Sequence, residues 1–427
     1  MTGLSARAAL APGATPAAPS RLALARLSAW LGLVGFGGGI AVLATMRTAL
    51  VDQRRWLSER EFAVTATVSQ MIPGGAAANA LAYTGLRMFG PGGAALAYAA
   101  FIAPGAVVVL ALAAAYAHLG VTPHLAPALA GMNAAVVGVV GAITLQLVRS
   151  GVSRPWQMGV AGGALLLALA GGASAAEVAA LGVGAGLVLD LGIARFRLAR
   201  VQRAGAARPG PVEERAASRE PPPVALPEEG ERLPTPPGGE HALLPLALGA
   251  APALGALGTL GLVLFRAGLG AYGGGFAAVT QLRAAVLEHG WLTARQFADA
   301  VAIGKLTPGP VLLMATFVGY LTAGLPGALV ATVSIFAGPL LLVLGIGAVL
   351  ARYRSRRPVR AALRGLTPAV VGLMAAAALT LGSSLEGAPE LAIAGAAFLT
   401  LARFRASPVA VMAAGGAARL ALALAGR

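Results

Sequence analysis

The sequence predicts an all-α polytopic membrane protein built from two homologous halves. The halves form an inverted-topology repeat with broken or re-entrant helices and roughly 10–13 membrane segments. Three observations carry this reading: a scarcity of charge, an ordered internal repeat, and an arginine bias that changes sides between equivalent loops.

Of 427 residues, 57% are hydrophobic and only 11% charged, with a mean hydropathy of +0.78. A soluble protein carries about 25% charged residues, so this chain lacks the polar surface to fold in water. Its 59 glycines suit helices that must approach closely without a hydrophobic drive between them. With no cysteine, disulfides, thiol catalysis and thiolate metal sites are excluded. His118, His124, His241 and His289 show no metal-ligand spacing. The formal net charge of +16 comes from arginines at the ends of apolar stretches. Such residues are topology signals, and no nucleic-acid partner is expected.

In chain order, residues 1–21 read as a disordered tail, since no compact apolar core precedes a cleavage site. Apolar stretches follow near 22–46, 62–86, 92–117, 128–148, 157–172 and 176–194. Others lie near 243–265, 266–282, 297–321, 327–351, 365–382, 388–402 and 407–426. A spanning helix needs about 20 apolar residues, so the shorter stretches read as half-helices or tilted pairs. Residues 196–242 separate the two groups, with nine prolines inside 209–237 among many Arg and Glu. They read as a disordered cytoplasmic linker between membrane domains at 22–195 and 243–427.

The two domains match in order. "GFGGGIAVLATMR" (35–47) pairs with "AYGGGFAAVTQLR" (271–283), and "WLSEREF" (56–62) with "WLTARQF" (291–297). "SQMIPGG" (69–75) pairs with "GKLTPGP" (304–310), "FGPGGA" (89–94) with "AGLPGA" (323–328), and "AAVVG" (134–138) with "PAVVG" (368–372). The offset stays between 234 and 236 throughout. Residues 118–127 contain no Arg, whereas their counterpart 352–364 contains six. The next pair reverses: two Arg in 149–155, and two Glu without a base in 383–390. Arginine-rich loops stay cytoplasmic, so equivalent loops lie on opposite sides.

The segment 62–86 carries Arg54, Arg55 and Arg60 before it and Arg87 after it. A hairpin turning at Pro73-Gly74 satisfies both flanks; a single span between basic ends is the alternative. Pro-Gly at membrane depth frees the N–H groups of the next half-helix, where the helix dipole favours anions. Pro73-Gly74 and Pro308-Gly309 are therefore candidate anion-binding breaks. Gly37, Gly38 and Gly39, with Gly273, Gly274 and Gly275, add accessible amides or simply permit close packing. Gln70 and Lys305 occupy the same repeat position beside the breaks, with Thr307 next to the second. Lys305 is the only lysine in the chain. A cation at this depth reads as an anion ligand, as a partner of Asp299, or as a side chain reaching an interface. Asp299 itself lies four residues after Arg295, the spacing of a local helical pair. Glu177 and Asp190 read as interfacial, and no carboxylate stands out as a proton carrier.

"FGGG…RRWLSEREF…SQMIPGG" and "YGGG…HGWLTARQF…GKLTPGP" together resemble the paired signature of the chromate ion transporter family in its long, two-domain form. The resemblance covers about 22–195 and 258–405. It implies a multi-pass exporter of chromate, or a sulfate-like oxyanion, in the bacterial cytoplasmic membrane, driven by membrane potential or by protons as coupling ion. The expected surroundings are the lipid bilayer and a candidate homodimer. Three positions depart from the family: Gly39 replaces a proline, Gly75 ends the first copy in place of proline, and Lys305 stands where glutamine is usual. No cofactor, metal or catalytic residue is expected, and without Cys or a His inside a span the chain does not read as an enzyme. An anion channel or a carrier of another oxyanion are the competing functions.

Overall fold

The computed structural model describes residues 19–35, 39–119, 125–170, 173–206, 251–353, 356–404 and 406–425. Among them every regular element is helical. The first half contains α1 (Arg21–Val34), α2 (Gly39–Arg47), α3 (Glu59–Met71), α4 (Ala76–Leu119), α5 (Leu125–Gly151), α6 (Pro155–Ala170) and α7 (Ala175–Ala206). The second contains α8 (Ala251–Leu269), α9 (Ala277–Glu288), α10 (Ala294–Leu306), α11 (Met314–Tyr353), α12 (Arg357–Gly382), α13 (Ala388–Arg403) and α14 (Pro408–Ala425). Among the described residues, five stretches are long and apolar enough to cross a membrane. Their outer faces carry exposed leucine and valine, such as Val107, Leu329, Val333, Leu341 and Leu379. These side chains meet lipid.

Two of the longest helices are folded back on themselves. In α4 the backbone breaks at Gly90, with φ 70 and ψ −162, and Gly85 lies against Gly93. Residues eight apart in a straight helix are about 12 Å apart along its axis, so α4 is two antiparallel arms. In α11 the break falls at Ala323-Gly324, and Gly319 lies against Gly327. Small residues on both arms allow this approach.

The first arm of α4 pairs with α3 as a second hairpin. Arg87 bonds Glu61 at 2.8 Å across 26 residues, closing the mouth of the segment flanked by arginines. This geometry is a re-entrant hairpin and rules out the single span. Its entering helix starts at a capping box: the Ser58 hydroxyl accepts from the Glu61 amide, and the Ser58 amide donates to the Glu61 carboxylate. Thr293 and Gln296 repeat that box at the equivalent start of α10. The Ser58 amide and hydroxyl, then Arg87, hold the Glu61 carboxyl down at about 2.

The faces follow from three contacts. Arg154, after α5, and Arg364, early in α12, both bond Asp190 of α7. The Gln157 side-chain amide also donates to the Arg364 carbonyl at 2.9 Å. The ends of α4 and α5 nearest Arg87 and Arg154 therefore share one face with the start of α12. The long arm of α11 must cross the membrane to reach that face, so its Gly324 turn lies on the other. Arg295, at the start of α10, accordingly reaches the carbonyl of Ala126 at the start of α5. Hairpins of the two halves enter from opposite faces, and the repeat is inverted. On the second half's entry face, α8 runs parallel to the long arm of α11, with Gly261 beside Val330 and Gly268 against Ile335.

The halves interlock. α5 packs against α13 and α14 of the second half, while α12 packs against α6 and α7 of the first. Equivalent glycines make the contacts: Gly131 meets Gly415 just as Gly365 meets Gly182. α7 ends on the arginine-rich face and α8 starts on the opposite one, which corrects the expectation that the stretch between them stays on the cytoplasmic side. α7 also runs to Ala206, eleven residues into the stretch read as linker. That portion contains Arg, Leu, Ala, Val and Gln with no proline before Pro209, a composition that extends a helix. The rest of the stretch read as a linker, most of the tail and positions 120–124 and 354–355 of the contrasted loops lie outside the described residues.

Labelling tests this topology directly, because the chain has no native cysteine. His118→Cys and Arg357→Cys are expected to react with an impermeant maleimide from opposite sides of sealed vesicles. Labelling of both from one side would contradict the inversion.

Candidate functional site

The two Pro-Gly breaks meet where the halves interlock, and a Cβ on Gly75 would lie 3.4 Å from Pro310 Cβ. Gly74 and Gly309 occupy equivalent positions with φ 107 and φ 104, values that favour glycine. Each break sits on a helix of the other half: Gly74 against Pro339 of α11, and Pro308 against Gly105 of α4. The Gly74 amide donates to the Ala271 carbonyl at 2.8 Å, stitching the first Pro-Gly break to the glycine turn of the second half. That amide is thus already used, contrary to its expected freedom. The Gly275 amide is likewise taken, by the Tyr272 carbonyl at 3.2 Å.

Asn79 explains how the first break is held. Its Nδ2 points at the carbonyls of Ser69, Ile72 and Pro73, at 3.3, 3.1 and 3.0 Å. These are acceptors that the interrupted helix leaves without a partner. The free donors lie on the other side of the break. The first-turn amides of α4, at Ala76, Ala77 and Ala78, have no helical acceptor, and these residues line a cavity.

This cavity has a volume of about 1470 Å³. It gathers Gln70, Gly74, Gly273, Lys305, Thr307 and Gly309 from both halves. Pro73, Pro308 and Gly275 shape the breaks without lining it, and Gly274 sits within the turn Gly273–Gly275. Gly39 opens α2, while Gly37 and Gly38 lie outside the described residues. From the breaks the cavity runs to Arg149, Ser150 and Leu363 on the arginine-rich face. Among the described residues, none from the opposite face lines it.

Lys305 sits in the last turn of α10, 7% exposed, with Nζ 4.8 Å from the centroid of the Phe276 ring. The helix C-terminus and the ring both favour a cation there. The Asp299 pairing does not form, because the Asp299 carboxylate is bonded to Tyr116 and Asn133. Arg295 does not pair with Asp299 either; helical spacing brought the two residues close, but its guanidinium turns to Ala126. Gln70 is exposed to the cavity and returns one bond to the Ala66 carbonyl at 3.0 Å, while the Thr307 hydroxyl bonds the Gly304 carbonyl at 3.2 Å. The described lining contains two cations, Lys305 within and Arg149 at the mouth, and no carboxylate.

Arg149, Gln146, Tyr272 and Phe276 line the cavity but were not singled out by sequence. Arg149 had counted only as a topology signal. The aromatic pair was legible in one respect, since Tyr272 and Phe276 flank the GGG turn.

The sequence profile described as Chromate transporter matches residues 22–189 and 258–420. A probable chromate transport protein of Synechococcus elongatus is 31% identical over 368 residues, 85% of each chain. The chromate transport proteins of Cupriavidus metallidurans and Pseudomonas aeruginosa are 28% and 29% identical, each over 91% of this chain and 89% of the relative. No solved structure matches.

Proposed function

The chain belongs to the chromate transporter family, and on that premise we propose that it is a secondary transporter expelling chromate across the bacterial cytoplasmic membrane. The observation that carries this reading is the cavity itself. Its described lining sets Lys305 and the first turn of α4 at the paired breaks and Arg149 at the mouth, with no carboxylate. An oxyanion would sit between the first turn of α4 and Lys305, with Gln70 and Thr307 as neutral partners.

Direction follows from electrostatics. The arginine-rich face is cytoplasmic by the positive-inside rule, so the cavity is loaded from the cytoplasm. Moving one charge across 100 mV is worth about 2.3 kcal/mol, and a dianion carries two, so an inside-negative potential favours its export. Rocking of the interlocked halves about the fixed site would open it to the other face. Sulfate shares chromate's charge and tetrahedral shape, and the cavity is much larger than either anion. A sulfate-type substrate is therefore the second reading.

Flux measurements in proteoliposomes decide between them. With imposed voltage and pH gradients, chromate is expected to move faster than sulfate and molybdate, and chloride not at all. Equal chloride flux, or flux that never concentrates the anion, would replace the carrier by a channel.

A further inference from the structure

Three carboxylates are buried among the described residues: Asp190, Asp299 and Glu390. Asp190 is neutralised by Arg154 and Arg364, and Glu390 lies 3.8 Å from Arg419. Asp299, 1% exposed, forms no ion pair. Its Oδ2 accepts from the Tyr116 hydroxyl at 2.9 Å, and its Oδ1 from the Asn133 amide at 2.8 Å. Both donors are neutral.

The position gives this cluster a consequence. Asp299 belongs to α10 of the second half, whereas Tyr116 and Asn133 belong to α4 and α5 of the first. The two bonds tie the halves together. Six residues further along α10, about 9 Å at 1.5 Å per residue, stands Lys305 in the cavity. Asp299 does not itself line that cavity. At the positions equivalent to Asp299, Tyr116 and Asn133 the chain has Val64, Leu350 and Thr367, so the inverted copy holds no such cluster.

We propose that Asp299 is a proton-binding site coupled to the anion site, protonated in one state of the transport cycle and ionised in the other. The proposal rests on the transporter reading above. A buried carboxylate between two neutral donors has a use for each form. Ionised, it accepts both bonds, with Arg295 close enough to act on it through space but not paired with it; protonated, it carries no charge but gives up acceptor capacity. Protonation thus loosens α10 from α4 and α5, and α10 ends at Lys305. The step is simple in balance: one proton binds the carboxylate from one aqueous side and leaves to the other, with no other bond made or broken.

The other charged groups nearby do not replace it. Arg295 on α10 turns to the Ala126 carbonyl, and Arg419 on α14 faces Glu390. α9 carries Arg283, Glu288 and His289, and α11 carries Tyr320; none of them bonds Asp299 among the described residues.

The test uses the whole protein in proteoliposomes, with chromate as probe and two readouts: chromate counterflow, and accumulation driven by a pH gradient at zero voltage. Wild type is expected to do both. Asp299→Asn should lose at least ten-fold in gradient-driven accumulation, together with the pH dependence of flux, while counterflow falls only a few-fold. Tyr116→Phe keeps the ring packed on Phe317 and removes one donor, so it should shift the pH profile with the protein folded. Gradient-driven accumulation that survives in Asp299→Asn, or an unshifted profile in Tyr116→Phe, would overturn the proposal. Wild type that exchanges chromate but ignores the pH gradient would overturn it too, leaving the oxyanion reading intact. Absence of counterflow in wild type would remove both.

Discussion

Lys305→Glu is expected to abolish chromate flux from a protein that still folds, and Lys305→Gln to weaken apparent affinity severely. Lys305 is buried beside the second break, and its only aromatic or ionic contact among the described residues is the Phe276 ring. No carboxylate depends on it. A charge-assisted bond to an anion is worth about 1.5–3 kcal/mol, so Lys305→Gln should raise the half-saturating chromate concentration by roughly 10- to 150-fold. That variant also gives the second half the residue the first already has, Gln70. Folding should tolerate it, because removing an unpaired buried charge relieves a desolvation cost. Lys305→Glu adds repulsion at the same point. Initial-rate flux against chromate concentration, with thermal unfolding in detergent as the folding control, measures both. Unchanged apparent affinity in Lys305→Gln would take the lysine out of the site.

Gly74→Ala should be nearly as severe by a different route. Gly74 has φ 107, a Cβ there would lie 2.8 Å from Pro339 Cβ, and its amide is committed to Ala271. Left-handed strain of about 1–3 kcal/mol adds to overpacking of about 1–3 kcal/mol, against a proline ring that cannot swing away. The break would shift, and the Ala271 stitch between halves with it. Gly309, at the equivalent position, has φ 104 but only the tip of Leu313 at 3.0 Å, which can move. Gly309→Ala should therefore cost less. The expected order is a greater than ten-fold loss of flux and a lower unfolding temperature for Gly74→Ala, with a milder loss for Gly309→Ala. The reverse order would show that the contact with Pro339 is not what fixes the break.

How far the sequence could lead depended on whether the signal was local. Arg60 and Arg87 flanked the first broken segment, yet hydropathy carries no direction; only the Glu61–Arg87 closure separates a hairpin from a span. "FGPGGA" and "AGLPGA" were visible as repeat matches, but that a chain reverses at Gly90 and Gly324 depends on φ values no pattern states. The interlocking of α5 and α12 with the opposite halves was invisible because glycine and alanine stripes do not name their partners. At the site, Lys305 was legible through its uniqueness, and Gln70 through the repeat. Asp299 was misjudged for a physical reason. Arg295 at helical spacing offered a local partner, whereas the true partners, Tyr116 and Asn133, lie 183 and 166 residues away.

The central claim is that the two breaks form one oxyanion site. Its most direct measurement is the position of chromium, located by anomalous scattering from crystals of the whole protein grown with chromate. The predicted peak lies in the cavity between the first turn of α4 and Lys305, with a chromate oxygen at hydrogen-bond distance, about 3 Å, from the lysine Nζ. Chromium bound only at the mouth beside Arg149, with the space between the breaks empty at saturating chromate, would contradict it.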